Sequence, residues 1–94
     1  MPYILVRQDV ENFNQWKAVF NQHEETREDA GSLGYQLLNS IDNPNEVFVL
    51  FEWDSLANAQ QFTSSDELRE AMQNAGVIGR PDVFFLNTIE EGDA

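Results

Sequence analysis

Residues 46–53, EVFVLFEW, predict a β-strand that is apolar on both of its faces. Successive side chains of a strand point to opposite sides, so this segment divides into two rows. One row consists of four large apolar residues, Val47, Val49, Phe51 and Trp53. The other row contains Phe48 and Leu50, with Glu52 as the polar residue that follows them. An antiparallel sheet that buries one face would alternate apolar and polar residues, so the segment indicates a sheet that is covered on both sides.

Before this strand the sequence predicts a strand, a helix and a second strand. The first strand runs from Tyr3 to Gln8 and leads into a helix from about Asn12 to Ala30. Gly31 ends that helix, because glycine readily adopts the left-handed conformation at a helix terminus. Residues 34–41, GYQLLNSI, predict the second strand. The turn sequence DNPN at residues 42–45 then joins the two neighbouring strands into a hairpin.

Two helical stretches are predicted after the hairpin. The first runs from Leu56 to about Thr63 and has Asp54 or Ser55 as its N-cap. Ser64 and Glu67 have the spacing of a capping box, in which a serine and a glutamate three residues later satisfy each other's backbone N–H groups. This pattern predicts that the helix restarts there and continues to Ala75, before Gly76.

The end of the chain predicts a loop and a last strand. The glycines and proline of GVIGRP, residues 76–81, predict the loop, and DVFFLNTIE, residues 82–90, predicts the strand before an acidic tail. The resulting order, β-α-β-β-α-β, is typical of a ferredoxin-like α+β fold. We therefore expect residues 1–94 to form a single domain with a four-stranded antiparallel sheet and helices on one face.

Such a domain would leave one apolar sheet face bare. Four strands of about eight residues present a face on the order of 500 Å², whose burial could contribute about 10 kcal/mol before the cost of association. Monomers seldom leave a patch of this kind exposed. The sequence therefore predicts a homodimer in which the bare faces pack together as a closed or nearly closed β-barrel, with a monomer that exposes them as the alternative.

The composition excludes several classes of function. The chain carries 17 acidic and 5 basic residues, for a formal charge of −12, which would repel nucleic acids and anionic membranes. It contains no cysteine and one histidine, so we expect neither a metal site nor a disulfide. No stretch has the length of a membrane span. We expect a soluble cytoplasmic protein, with adaptation to high salt as a second explanation of the acidity.

The single histidine, His23, falls on the inward face of the first predicted helix. At 100° per residue it shares an arc with Trp16 and Phe20, and Arg27 follows one turn later. Polar groups on an inward face need partners, because an unpaired charge away from water costs several kcal/mol. Two explanations remain open: a structural network, in which Arg27 pairs with Glu24 or a strand carboxylate and the histidine with a backbone carbonyl, or a pocket in which both bind a ligand.

Aromatic and thioether side chains could complete such a pocket. The candidates for ligand binding are Trp16, Phe20, Tyr35, Trp53, Phe62 and Met72. Each is also a common type of core residue, so the alternative is that they only pack the core. Arg80, before the last strand, is either at the pocket mouth or a solvated surface residue.

The segment from residue 42 to residue 72, DNPNEVFVLFEWDSLANAQQFTSSDELREAM, resembles the antibiotic biosynthesis monooxygenase family of dimeric α+β barrels. Its most specific part is FEWDSLANAQQFTSS, residues 51–65, where a strand ending in Glu-Trp leads to a serine-capped helix. Trp16, Phe20, Arg27 and Gly31 extend the resemblance to the first helix. The resemblance implies a subunit that dimerises through its sheet and encloses a cavity between the sheet and the helices.

The resemblance also implies a chemistry. Some members of the family oxidise aromatic polyketides with dioxygen and need no metal or flavin, so no cofactor is expected. Relatives that degrade haem carry a histidine on the second helical region, where this chain has Phe62. For cofactor-free oxygenation, His23 is the candidate catalytic base and Arg27 the candidate group that holds the resulting enolate or phenolate.

The expected function is therefore a cofactor-independent monooxygenase, or a related enzyme, acting on a small aromatic or quinone-like ligand. Fold resemblance constrains architecture more than chemistry. Two alternatives remain open: a non-catalytic dimer that binds a small hydrophobic ligand, and a structural or regulatory protein.

Overall fold

The computed structural model describes residues 1–94 and contains four strands and four helices. In chain order they are β1 (Pro2–Val10), α1 (Phe13–Gln22), α2 (Glu24–Ala30), β2 (Ser32–Asn39), β3 (Glu46–Trp53), α3 (Leu56–Thr63), α4 (Asp66–Asn74) and β4 (Val77–Asn87). The order is β-α-α-β-β-α-α-β, so each predicted helical region consists of two short helices. The predicted ferredoxin-like α+β fold is confirmed.

The strands form one antiparallel sheet in the order β2-β3-β1-β4. The two central strands, β1 and β3, are paired along most of their length, and Val6 of β1 lies between Val49 of β3 and Val83 of β4. The predicted hairpin joins β2 to β3, with Tyr35 opposite Phe51. This register places the middle of β1 and β3 beneath the helices.

Burial alternates along the central strands, as the two rows of residues 46–53 predict. In β3 the four buried residues are Val47, Val49, Phe51 and Trp53. In β1 they are Ile4, Val6, Gln8 and Val10. Together with Trp16 and Phe20 of α1, the apolar members of these rows form the core between the sheet and the helices.

The opposite face of the sheet has no helix over it. Its apolar side chains come from all four strands and comprise Tyr3, Leu5, Leu38, Phe48, Leu50, Phe84 and Leu86, which the strand register places on one side. We call this set the open face. Phe84 is 50% exposed although it stands beside Leu5. At one end of the open face Arg7 forms ion pairs with Glu46, Asp82 and Asp9, so this end is polar.

The predicted continuous helix from Asn12 to Ala30 is wrong, because the helix is interrupted at His23. In an unbroken helix the carbonyl oxygen of Phe20 would accept a hydrogen bond from Glu24. Here it accepts a 2.6 Å hydrogen bond from Nη1 of Arg27 and another from the N–H of His23. A buried guanidinium needs an acceptor, and the end of α1 supplies one.

The predicted capping box at Ser64 and Glu67 is also wrong by one residue. Ser65 is the N-cap of α4, and its hydroxyl accepts a hydrogen bond from the N–H of Leu68. Ser64 instead follows the last residue of α3, and its hydroxyl donates to the carbonyl of Gln60. Two adjacent serines serve two different helix ends, which a spacing rule cannot separate.

A loop was predicted for residues 76–81, but residues 77–81 are part of β4, which begins at Val77. Val77 and Ile78 pair with the end of β1, and pairing resumes when Asp82 meets Arg7. Between these positions the register shifts, so residues 79–81 bulge out beside Gln8, and Gly79 takes a φ of 71°. β4 is an edge strand, which tolerates both a bulge and the proline at position 81. No helix of the chain combines the length and the apolar character needed to cross a membrane.

Candidate functional site

A cavity of about 370 Å³ lies between the helix-covered face of the sheet and the helices. Its wall is mainly apolar, because 13 of its 23 lining residues are hydrophobic. The sheet side of the wall consists of Ile4, Val6, Gln8, Val49, Phe51 and Val83. The volume lies within the range of small-molecule binding sites, which are typically 300–1,000 Å³.

Six of the eight site residues proposed from sequence line this cavity. They are the candidate catalytic pair His23 and Arg27 and the candidate ligand contacts Trp16, Phe20, Phe62 and Met72. Tyr35 and Trp53 do not line it. The helix break at His23 therefore lies beside a space large enough for a ligand.

Arg27 is buried at this wall without a counter-ion. Its residue surface is only 5% exposed, and no carboxylate lies within ion-pair distance of it. Its single hydrogen bond goes to the carbonyl of Phe20, and its Cζ lies 3.8 Å from the centre of the Phe20 ring. Burial lowers the pKa of Arg27, and electrostatic interactions with Tyr35, Glu24 and Glu28 oppose that shift. The pairing with a carboxylate that a structural network requires is absent.

His23 occupies the junction between α1 and α2. Its backbone N–H donates to the carbonyls of Val19 and Phe20, which completes the end of α1. Its imidazole makes no hydrogen bond within the protein, so the backbone partner expected in a structural network is not found. The side chain lines the cavity and is partly exposed. The imidazole is therefore in position to contact a ligand in the cavity.

The aromatic residues form two layers around the cavity. Trp16 and Phe20 stack with ring centres 4.9 Å apart and face the space directly. Tyr35 meets the edge of Phe20 at 5.0 Å, behind this layer. Trp53 is fully buried, and its ring centre lies 4.9 Å from the ring centre of Phe62. Phe62 in turn lines the cavity. Tyr35 and Trp53 thus support the residues of the wall.

Sequence reasoning did not identify Gln8 as a site residue. Gln8 is the only polar member of the buried row of β1, is 5% exposed, and lines the cavity. Its Oε1 is buried and has no hydrogen-bond partner in the protein. A buried polar atom without a partner costs about 1–3 kcal/mol. The signal was present in the sequence, since a glutamine interrupts the apolar alternation of Ile4 and Val6.

The bulge of β4 adds a further arginine to the wall. Arg80 lines the cavity and is exposed, so it lies where the cavity meets solvent. It forms no ion pair. The two sequence-based alternatives for Arg80, pocket mouth and solvated surface, therefore describe the same position.

The site combines groups with different chemical capacities. His23 offers an imidazole, Arg27 offers a buried guanidinium without an ion-pair partner, and Gln8 offers an amide oxygen without a partner. The stacked aromatic rings can hold a planar ligand between apolar surfaces. Such a site can remove a proton from an aromatic compound and stabilise the resulting oxyanion.

Comparisons with known proteins agree with this architecture. The sequence profile described as antibiotic biosynthesis monooxygenase matches residues 4–74. A structure from Bordetella bronchiseptica, assigned to the same family, has a TM-score of 0.78 at 18% identity and covers 95% of this chain and 97% of its own. SnoaB of Streptomyces nogalater, described as a cofactor-independent oxygenase, has a TM-score of 0.78 at 12% identity and covers 96% of this chain and 94% of its own.

A conserved protein from Methanosarcina mazei Go1 has the same fold, with a TM-score of 0.71 at 18% identity over 90% of this chain and 89% of its own. No curated protein sequence matches the chain significantly. At these identities the structural likeness shows a common fold.

Proposed function

Because the chain belongs to the antibiotic biosynthesis monooxygenase family, we propose that it oxidises a small aromatic, hydroquinone-like compound with dioxygen and without a cofactor. In this proposal residues 1–94 act as one domain. The observation that carries it is the placement of an unbonded imidazole, His23, and an unpaired buried guanidinium, Arg27, on the wall of one apolar cavity. A family resemblance alone would not specify the reacting groups.

His23 acts as the base in the first step. Its imidazole takes a proton from the carbon or hydroxyl of the substrate that becomes oxidised. The negative charge that forms is delocalised onto the exocyclic oxygen of the substrate, which is a carbonyl oxygen in an anthrone and a phenolic oxygen in a hydroquinone. Arg27 binds that oxygen, because a guanidinium in an apolar wall attracts an oxyanion far more strongly than it would in water.

The electron-rich anion then supplies the electrons that reduce dioxygen. For an anthrone-type substrate, the deprotonated ring carbon forms a bond to one oxygen atom, and the distal oxygen takes the proton back from His23. Cleavage of the O–O bond with loss of the remaining hydrogen gives a carbonyl group and one molecule of water. One dioxygen is consumed for each quinone formed, and the CH₂ group loses both hydrogens.

The aromatic wall positions the substrate for these steps. Trp16 and Phe20 present parallel rings, and Phe62 and Met72 lie on the helical side of the same space. A planar ligand bound against these surfaces has few orientations, which lowers the entropic cost of bringing it to the base. Gln8, on the sheet side of the wall, supplies a hydrogen bond to the substrate that its apolar neighbours could not.

A homodimer completes the proposed assembly. The open face carries apolar residues from all four strands, and an area on the order of 500 Å² in each subunit would gain about 10 kcal/mol from burial before association costs. Packing of two open faces would leave the cavities on the outer, helix-covered sides. The barrel formed in this way would make each sheet rigid behind its cavity.

The direct test is oxygen uptake with a panel of anthrones and hydroquinones. The wild-type protein should consume oxygen above the uncatalysed rate, and His23→Gln should lower the rate by about 10²- to 10⁴-fold, the usual contribution of a general base. Lys17→Gln is a matched control, because Lys17 lies on α1 but not on the cavity wall. Saturable binding of these compounds without oxygen uptake would replace the proposal with that of a non-catalytic ligand-binding protein.

A further inference from the structure

Met72 brings a sulfur atom to the wall of the cavity. The chain contains no cysteine and two methionines, and of these two only Met72 lines the cavity. Met1 lies at the start of the chain and is 72% exposed. Among the 23 residues of the wall, the thioether of Met72 is therefore the only sulfur nucleophile. An oxidant that forms inside the cavity meets no other sulfur atom there.

The position of Met72 on α4 places its side chain in the space beneath the helix. Leu68 and Ala75 lie about one helical turn before and after it, and both also line the cavity. Ala71 and Ala75 are buried, whereas Met72 is only partly buried, so its thioether borders open space. A methionine side chain is unbranched and flexible, so its sulfur can reach different points of such a space.

The proposed reaction generates an oxidant in the same space. Once the ring carbon of an anthrone-type substrate has bonded dioxygen and the distal oxygen has taken the proton from His23, the substrate is an organic hydroperoxide, R₂CH–OOH. In the main course of the reaction this group loses water and becomes a carbonyl. His23, Arg27 and Met72 line one cavity of about 370 Å³, so the hydroperoxide forms at a high local concentration relative to the thioether.

We infer that Met72 is a modification site, which the substrate hydroperoxide oxidises to methionine sulfoxide in a fraction of turnovers. The sulfur lone pair attacks the distal oxygen, the S–O bond forms and the O–O bond breaks. The proton of the distal oxygen passes to the proximal oxygen, so the substrate leaves as the alcohol R₂CH–OH. Sulfur loses two electrons, and the oxygen atoms of the broken bond gain them. This inference rests on the proposed function, which supplies the hydroperoxide.

Oxidation of Met72 changes the character of the wall. A thioether is apolar, whereas a sulfoxide is polar and chiral. The new oxygen lies close to Leu68 and Ala75, and a polar group without a partner is unfavourable in such surroundings. The sulfoxide therefore weakens the binding of a planar apolar ligand. Methionine sulfoxide reductases reverse the modification, so activity that is lost through turnover is recoverable.

A test without turnover compares two oxidants that differ in their fit to the cavity. Cumene hydroperoxide is a small aromatic hydroperoxide, whereas hydrogen peroxide is polar and reaches any exposed sulfur. The variant Leu56→Met supplies a reference methionine, because Leu56 lies on α3, is 48% exposed and does not line the cavity. Peptide mass spectrometry gives the rate of oxidation of Met72 relative to this reference.

The relative rate should be at least about tenfold higher with cumene hydroperoxide than with hydrogen peroxide, because binding in the apolar cavity concentrates the aromatic oxidant at Met72. Naphthalene, which is apolar and carries no peroxide, should lower the rate at Met72 by occupying the cavity. It should leave the rate at the reference methionine unchanged.

Turnover of an anthrone tests the same site with the proposed oxidant. The sulfoxide of Met72 should accumulate with the oxygen consumed, while the reference methionine stays reduced. Added catalase should not protect Met72, because the oxidant is not free hydrogen peroxide. The rate should fall as the sulfoxide accumulates and return after treatment with methionine sulfoxide reductase. Relative to its own initial rate, Met72→Leu should not show this decline.

An equal relative rate with the two hydroperoxides would overturn the inference, because Met72 would then react only in proportion to its exposure. So would quinone formation that leaves Met72 unoxidised, or protection of Met72 by catalase. Selective oxidation of Met72 by cumene hydroperoxide without any oxygen uptake from anthrones would instead contradict the proposed reaction. The failure of the inference and the failure of the proposed function are thus distinguishable.

Discussion

The guanidinium of Arg27 lies 3.8 Å from the centre of the Phe20 ring and donates a 2.6 Å hydrogen bond to the carbonyl oxygen of Phe20. Both contacts cross the break between α1 and α2. A carbonyl and a ring face attract a cation but do not neutralise it, so the guanidinium keeps its charge for a ligand. The break in the helix is thus the local feature that places a cation on an apolar wall.

Replacement of Arg27 by methionine should change stability little and function greatly. The variant is destabilised by the loss of a hydrogen bond from a charged donor and of a cation–π contact. It is stabilised because a cation without a counter-ion no longer has to be buried. These effects oppose each other, so we expect the free energy of unfolding in urea to stay within about 1 kcal/mol of wild type. Oxidation of an anthrone should fall at least about tenfold. A loss of more than about 3 kcal/mol would identify Arg27 as a structural residue.

Replacement of Gln8 by methionine should stabilise the ligand-free protein. The change removes a buried Oε1 that has no partner and keeps a side chain of similar length. We expect the free energy of unfolding to rise by about 1–2 kcal/mol and ligand affinity to fall. Val10→Ala, in the same buried row, is the control, because loss of apolar volume should destabilise the protein. Destabilisation by Gln8→Met would show that the amide is satisfied in solution.

Gly31 is the glycine whose conformation and surroundings both exclude a side chain. Its φ is 122°, and a Cβ atom there would collide with the side-chain carboxylate of Asp54. Gly31→Ala should therefore lower the free energy of unfolding by about 1–3 kcal/mol. Gly34→Ala is the matched control, because Gly34 lies in the following strand and a Cβ atom there has open space. Equal effects of the two changes would contradict this account of the α2–β2 junction.

Charge on the open face should separate the proposed homodimer. Phe84 is half exposed in the isolated chain and stands beside Leu5 on that face. Phe84→Glu would place two carboxylates in an apolar interface, so sedimentation at micromolar concentration should show a monomer where wild type shows a dimer. Ile41→Glu is the control, because Ile41 is fully exposed in the hairpin connection. A wild-type monomer of 10.8 kDa at this concentration would exclude the dimer.

The strand pattern predicted the sheet well, because burial in a sheet follows a period of two. The rows of β3 and the segment Leu56–Thr63 were predictable residue by residue. The start of β4 was not, since Gly79 and Pro81 favour a loop in isolation and form a bulge only beside β1. Pairing with β1 thus overrides the local preference of these residues for a loop, and that pairing cannot be seen in the local sequence.

Sequence periodicity predicted which side chains of the candidate site point inward, but not which of them line the cavity. Helical phase places His23 and Arg27 inward, yet it assumes an unbroken helix and cannot anticipate the hydrogen bond to Phe20 that breaks it. Strand parity likewise places Tyr35 and Trp53 on the helix-covered face without saying that other rings separate them from the cavity. Their separation from the cavity depends on side-chain packing between elements, which periodicity does not describe.

The most direct measurement of the proposed reaction records oxygen uptake and quinone formation simultaneously with an anthrone substrate. The same conditions are used for four proteins: wild type, His23→Gln, Arg27→Met and Lys17→Gln. We expect one oxygen molecule to be consumed per quinone and no hydrogen peroxide to be released. The reaction should be lost in the His23 and Arg27 variants and should proceed at the normal rate in the Lys17 variant. Oxygen uptake that is no faster than the blank, or that is equal in all four proteins, would show that this cavity is not the site of oxygenation.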